Sequence, residues 1–259
     1  MDKRELSYIS PKAKIGKNVE IGPFVTIEDN VEIGDNTVID SNATIHSGAR
    51  IGKNCHIHAG ASISDIPQDL KFKGEETLTI IGDNTNIREF ATVHRGTASK
   101  GKTVVGSYCL IMAYCHVAHD CVLGDHVIMS NTTQLAGEVV VGDWAVIGGG
   151  TLVHQFTHIG QHVMIQGGSL VSKDVPPFAM AGRFPLVYEG VNSVGLRRRG
   201  FSQEQIDTVQ DVYRRLYHSE LNVTAAVAKI KEDMPQSPER DAVLDFVTKS
   251  SRGIIRSSV

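Results

Sequence analysis

Aromatic residues make up only 6% of the chain, with a single tryptophan, and no apolar run approaches the ~20 residues that a membrane-spanning helix needs. The first scarcity argues against a bulky aromatic core and favours thin, repetitive β structure rich in Ile, Val and Gly. Charge of one sign is also missing. With 26 Lys and Arg against 29 Asp and Glu the net charge is -3, which does not suggest a general nucleic-acid binder. No apolar signal segment follows the opening Met-Asp-Lys-Arg-Glu-Leu, so a cytoplasmic protein is expected. At 259 residues the chain can bury a sizeable core, as one large domain or two smaller ones.

What the sequence does have is a repeat of six. From Ile9 an aliphatic residue recurs at every sixth position through Ile63, resumes at Ile81, Ile87 and Val93, and resumes again from Val105 to Val171. Both interruptions preserve the phase. The second place of the hexad is often Gly (Gly16, Gly22, Gly142, Gly148), which suggests a strained corner there. The fifth place is small or β-branched except at Pro67, and all four cysteines (Cys55, Cys109, Cys115, Cys121) occupy it. They therefore read as small buried thiols rather than as metal ligands, redox groups or a disulfide framework. A period of six fits neither a helix nor a flat strand. It fits a parallel β-helix in which each hexad is one side of a triangular coil and residue i lies under i+18. About eight coils at the ~4.8 Å strand spacing give a prism roughly 40 Å tall. Its handedness does not follow from the repeat.

Along the chain, coils 1–64 carry mostly polar sixth places: Lys14, Glu20, Thr26, Glu32 and Arg50. Residues 65–80 replace most of a coil with a loop bearing Gln68, Asp69 and Lys71, groups suited to sugar hydroxyls and phosphates, although a solvated loop would carry them too. Ser99-Lys100-Gly101-Lys102 reads as a second, solvated turn. From Val105 the outward places become apolar: Leu110, Ile128, Val146 and Met164 form one column, and Val122 and Val140 another. So long an apolar stripe implies packing against another subunit, most economically a second copy of the chain. The frame stops after Val175-Pro176-Pro177. An irregular segment with Asn192 and Arg197-Arg198-Arg199 precedes a helix capped by Ser202, with Gln205 completing a capping box and Phe201 and Ile206 a hydrophobic staple. Further helices are expected over Thr224–Asp233 and from Ser237-Pro238 to about Lys249.

Chemistry concentrates around Tyr114-Cys-His-Val-Ala-His-Asp120. In the six-residue frame His116 ends one side of a coil, while His119 stands outward on the next. Gly137 and Gln155 should stack above His119 and Glu138 above Asp120, with His154 and Phe156 flanking Gln155. An imidazole, carboxylates, an amide and a glycine whose N–H can approach a ligand are the parts of a site. A lone solvated histidine would lack such neighbours across coils. Metal binding is the rival use. His154, His158 and His162 are four apart but fall at diverging places of the repeat. The γ-class carbonic anhydrases, which share the hexapeptide prism, use an H-x4-H pair, and no two histidines here are five apart. No metal is expected.

His116-Val-Ala-His-Asp-Cys121, Leu135-Ala-Gly137, Val153-His-Gln-Phe156, Gln68-Asp-Leu-Lys71, Asp174-Val-Pro-Pro177, Arg198-Arg-Gly-Phe201 and Ser251-Arg-Gly-Ile-Ile-Arg256 together resemble the acyl-carrier-protein–UDP-N-acetylglucosamine O-acyltransferases, which begin lipid A synthesis. The resemblance spans essentially the whole chain. It implies an all-β left-handed parallel β-helix (residues 1–190) followed by a small α-helical domain (191–259), and a homotrimer with sites between subunits. It implies His119 as general base, Asp120 as its partner and the Gly137 N–H as oxyanion donor. Gln68, Asp69, Lys71, His116, Glu138, His154 and Gln155 would surround sugar and pantetheine, and Asn192, Arg198 and Arg199 the nucleotide. Gly167 would limit acyl length. The arginine cluster also suits an acidic carrier protein. The acyl donor would be a phosphopantetheine-linked carrier protein, with no separate cofactor. Two positions depart from the family pattern: Glu138 stands where His is usual, and Val194 where Glu is usual. The related UDP-3-O-acylglucosamine N-acyltransferases carry a separate domain before their hexads, whereas this chain repeats from Ile9.

Overall fold

The computed structural model describes residues 6–257. Residues 1–5, on which the expectation of a missing leader rests, lie outside the described part.

The direction of each side chain explains why six residues make one side of a coil. First-place residues such as Ile27, Ile45, Val117 and Leu135 fill the axis completely, and fifth-place Val25, Ala43, Cys115 and Thr133 pack beside them. Short strands at the sixth and first places, such as His116–Val117, pair in parallel with the equivalent strand one coil on, Gln134–Leu135. Three faces result, of nine, eight and eleven strands. The register advances by eighteen residues, as in Thr26 to Thr44 and Val122 to Val140. The fold is a left-handed parallel β-helix with a small helical C-terminal region.

The strained corner is not where the glycines suggested. Apart from Ser64, just before the first excursion, fourth-place residues and not second-place ones adopt the left-handed conformation: Asn18, Asn36, Asn54, Phe90, Tyr114, Asp120, Glu138 and Trp144 all have φ between 53 and 63°. Asparagine tolerates this region best, and in the lower coils Asn18, Asn36 and Asn54 also bond to one another in a ladder. The second-place glycines are required for closeness instead. A Cβ on Gly142 would lie 2.5 Å from the Gln161 amide nitrogen, and one on Gly16 2.7 Å from that of Asp35. Stacked corners leave no room for a methyl group.

The first excursion is an insertion, not a replacement. Strands Ser62–Asp65 and Leu78–Ile81 both stay in their faces, so residues 66–77 are extra and every side of the coil survives. The second excursion likewise lies between strands Thr92–His94 and Lys102–Val105.

Beyond the prolines the coil continues in a shorter form. Strand Ala179–Gly182 pairs in parallel with Met164–Ile165, then turns back into an antiparallel strand, Val187–Val191. The segment expected to be irregular is thus a hairpin followed by a short helix, α1 (Ser193–Arg198). Helices α2 (Gln203–Tyr217, with the Ser202–Gln205 capping box), α3 (Val223–Asp233) and α4 (Pro238–Lys249) follow the expected boundaries closely. Buried Asp174 fastens this region to the prism. It accepts from the His158 N–H and the Ser250 hydroxyl, while its own N–H donates to the Gly253 carbonyl. Tyr213 of α2, fully buried, donates to the Pro177 carbonyl at 2.6 Å.

Candidate active site

The corner of one coil sets His119 and Asp120 side by side. His119 occupies the third place, with its side chain 20% exposed; Asp120 follows at the left-handed fourth place and is fully buried. His119 Nδ1 lies 2.9 Å from Asp120 Oδ2. An accepting carboxylate pairs with the Nδ1–H tautomer of a neutral imidazole, which leaves the Nε2 lone pair free. That Nε2 faces Gly137, one coil above, where a Cβ would come within 2.5 Å of the ring. The Gly137 N–H donates to no acceptor among the described residues. An imidazole nitrogen and an unpaired N–H therefore sit together at one corner, an arrangement that can serve acyl transfer.

Asp120 is held by more than its histidine. The N–H and hydroxyl of Thr97 donate to its carboxylate, the hydroxyl at 2.6 Å, and the Lys100 N–H donates at 3.2 Å. The Asp120 N–H donates in turn to the Thr103 hydroxyl. Hydrogen bonds to a charged group are worth roughly 1.5–3 kcal/mol each. The second excursion, expected to be a solvated turn, is thus part of the site. Counting eighteen back from Asp120 reaches Lys102, the strand residue at the end of that excursion, but the count places neither Thr97 nor Lys100.

Around the dyad lie further histidines. His116 is bonded through Nδ1 to the Thr92 hydroxyl at 2.7 Å and meets His94 edge to face. Burial, then the charges of His94 and His119, pushes the His116 imidazole down to about 4; burial also lowers that of His94. Both are neutral near pH 7. His94 and Thr92 had no place in the sequence reading, because nothing in the local pattern marks them. Two coils above His119, His154 and Gln155 are exposed, and the imidazole Nδ1 contacts the Gln155 carbonyl.

The remaining expected residues separate into groups. Glu138 stacks as anticipated over Asp120, but its carboxylate is occupied: the Ser99 hydroxyl donates at 2.7 Å and Lys100 Nζ lies at 3.3 Å. Gln68, Asp69 and Lys71 stand on the 66–77 insertion, where the Asp69 carboxylate accepts from the Lys71 N–H. Within one chain, no hydrogen bond or ion pair among the described residues joins them to His119. Asn192 caps α1, accepting from the Gly195 N–H and donating to the His162 carbonyl. Arg198 is exposed, while Arg199 lies over the Trp144 ring at 5.3 Å and beside His162 Nδ1. Burial and the Arg199 charge push the His162 imidazole down to about 4. Gly167 lies exposed beside Gly149 and Gly168, a floor without side chains.

His158 lies on strand His158–Ile159, whereas His154 and His162 lie between strands. One other group, Asp40, His56 and His58, brings three potential metal ligands within 4.8 Å. It lies on the eleven-stranded face, with His56 Nε2 2.9 Å from Asp40 Oδ2. The four thiols are buried, and burial pushes Cys109 and Cys115 to about 11 and Cys121 to about 12, so none is a nucleophile near pH 7.

Comparison with known proteins covers both parts of the chain. The family model for UDP N-acetylglucosamine O-acyltransferase, domain 2, matches residues 174–255, and the bacterial transferase hexapeptide model matches 12–47, 30–65 and 102–137. An acyl-[acyl-carrier-protein]–UDP-N-acetylglucosamine O-acyltransferase from Chlorobaculum tepidum is 56% identical over 239 residues, covering 92% of this chain and 90% of its own. Its counterpart from Thermodesulfovibrio yellowstonii is 47% identical over 249 residues, covering 96% of each. Among solved structures, a UDP-N-acetylglucosamine acyltransferase from Bacteroides fragilis superposes with a TM-score of 0.95 at 52% identity, over 97% of this chain and 98% of that one.

Proposed function

The chain belongs to the acyl-[acyl-carrier-protein]–UDP-N-acetylglucosamine O-acyltransferase family, and from that footing we propose how its own residues carry the reaction. It is an acyltransferase that moves an acyl chain from acyl-carrier protein to UDP-N-acetylglucosamine, the first step of lipid A synthesis. In our reading the acyl group is a 3-hydroxyacyl chain and the acceptor is the sugar's 3-hydroxyl. His119 Nε2 removes the hydroxyl proton as the oxygen attacks the thioester carbonyl. The Gly137 N–H stabilises the oxyanion, and the imidazolium returns the proton to the departing pantetheine thiolate. Asp120 holds the imidazole in the required tautomer and stabilises its charged form.

Gln68, Asp69, Lys71, His116, His154 and Gln155 bind sugar and pantetheine in this reading, and Asn192, Arg198 and Arg199 the nucleotide. Gly167 leaves space for the acyl chain. The pantetheine arm of the carrier protein delivers the acyl group, so the chemistry asks for no further cofactor or metal. We place the enzyme in the cytoplasm with its carrier protein; no helix among the described residues is long and apolar enough to cross a membrane.

A homotrimer with shared sites is supported by two features. The Leu110, Ile128, Val146 and Met164 column is only half-buried in one chain. Nor does any hydrogen bond or ion pair among the described residues of that chain join Asp69 or Lys71 to His119. A second copy would cover the first and complete the second.

The observation that carries the reading is the His119–Asp120 dyad beneath Gly137. The test assays purified wild type and His119→Ala with hydroxyacyl-carrier protein and UDP-N-acetylglucosamine. Turnover should fall by about 100-fold or more. Near-wild-type turnover by His119→Ala would remove the base assignment, and acylation of an amine alone would favour the N-acyltransferase reading.

A further inference from the structure

The buried carboxylate of Asp120 depends on the turn 97–100, which supplies three of its four donors: the Thr97 N–H, the Thr97 hydroxyl and the Lys100 N–H. That turn is a surface excursion in which Ala98, Ser99 and Lys100 are exposed, and such segments open readily unless something fastens them. The fastening comes from one coil higher. Glu138 reaches down with one oxygen to the Ser99 hydroxyl at 2.7 Å and with the other to Lys100 Nζ at 3.3 Å. Lys100 Nζ also donates to the Asp120 carbonyl at 3.1 Å, so a single ammonium bridges the two stacked corners. The Glu138 side chain is 18% exposed, which puts this ion pair in a site where charge is only partly screened.

We propose that Glu138 is a positioning residue: by clasping Ser99 and Lys100 it holds the 97–100 turn on Asp120, and so fixes His119, rather than contacting the sugar. The inference rests on the reading of His119 and Asp120 as the catalytic dyad. Both oxygens of Glu138 are already engaged, so a sugar hydroxyl would have to compete with a lysine and a serine for them. The residue also follows directly on Gly137, the proposed oxyanion donor, so the same clasp braces that N–H.

The test compares Glu138→Ala, Ser99→Ala and Lys100→Met in the full chain, with hydroxyacyl-carrier protein and UDP-N-acetylglucosamine as substrates. Misplacing a base costs turnover, not ground-state affinity. Each variant should therefore lower kcat by about tenfold while KM for the sugar nucleotide stays within about twofold. Because Glu138 and Ser99 act through one contact, their double variant should be no slower than the slower single one. Glu138→Gln, which keeps an acceptor for Ser99 but loses the charge, should be intermediate. A tenfold rise in KM with kcat retained would show a sugar contact and overturn the proposal, as would unchanged kinetics in all three variants. If Glu138→Ala fails to fold, Ser99→Ala and Lys100→Met probe the same clasp from its other side. A failure of the dyad itself is separable, because then His119→Ala would keep its turnover.

Discussion

Gly137 stands over His119 so closely that a single methyl group on residue 137 would lie 2.5 Å from both Cε1 and Nε2 of the imidazole. The contact is with a ring edge and not with rigid backbone. Nor is residue 137 among those with positive φ, so alanine there meets no conformational strain of its own. Gly137→Ala should therefore fold but push the proposed base, His119, out of line. A displacement of about 1 Å is worth roughly 100-fold in rate. Steady-state kcat should fall by that order while the melting temperature shifts little. A normal kcat would show that the ring and the glycine are not placed together during catalysis.

Asp120→Asn tests the other side of the ring. The amide can still accept from Thr97, but it can also donate to Nδ1, which moves the imidazole proton to Nε2, the nitrogen we propose as the base. The wrong tautomer should lower kcat by 100-fold or more, on the order of what loss of a general base costs. Asp120→Ala should add a loss of stability of several kcal/mol, because the buried N–H and hydroxyl of Thr97 are left unpaired. Denaturant unfolding separates the two effects.

The two kinds of corner residue predict opposite tolerances. Gly142→Ala places a Cβ against the Gln161 backbone, which cannot move without prising two coils apart, and should cost on the order of 1–3 kcal/mol. Asn36→Gly, at a left-handed fourth place, keeps the conformation and loses only two exposed ladder bonds, to Asn18 and to Asn54. It should cost less than ~1 kcal/mol. Thermal unfolding of the two variants side by side reads the difference.

Stability should depend on pH through histidines kept neutral by burial. The imidazoles of His116 and His162 are pushed down to about 4, and that of His94 is lowered too, against an ordinary value near 6.5. Below that ordinary value the unfolded chain takes up protons that the folded chain refuses. Stability is thus fully present above about pH 6.5 and is lost progressively as pH falls toward 4. Melting temperatures should decline across that window, and His116→Gln should flatten the decline. An unchanged slope in that variant would show that His116 does not contribute.

Arg198 and Arg199 should behave differently despite their adjacency. Arg199 is spent on the Trp144 face and on His162, so Arg199→Ala should lower the melting temperature, its cation–π contact being worth about 0.5–2 kcal/mol. Arg198 is exposed and without such partners, so Arg198→Ala should leave stability alone. In our reading it should raise KM for UDP-N-acetylglucosamine several-fold. Equal effects on both measures would return the pair to a single role.

The sequence by itself determined the prism. A first place that is always aliphatic and a fifth place that is small can be buried together only if the chain turns every six residues, so the faces, the eighteen-residue register and the buried thiols follow from spacing alone. The same counting put Gly137 above His119 and Glu138 above Asp120. It also found the capping box of α2, because that signal is local. Spacing could not show where a corner bends. Glycine at the second place answers to the coil above it, and the left-handed residue two places later is often a bulky one that tertiary packing holds there. Nor could it show that the 97–100 turn folds back onto Asp120, since an excursion breaks the count that places everything else. Tertiary structure made that decision. A buried carboxylate must collect donors from wherever the fold brings them, and here it brings them from a loop whose own sequence looks merely solvated.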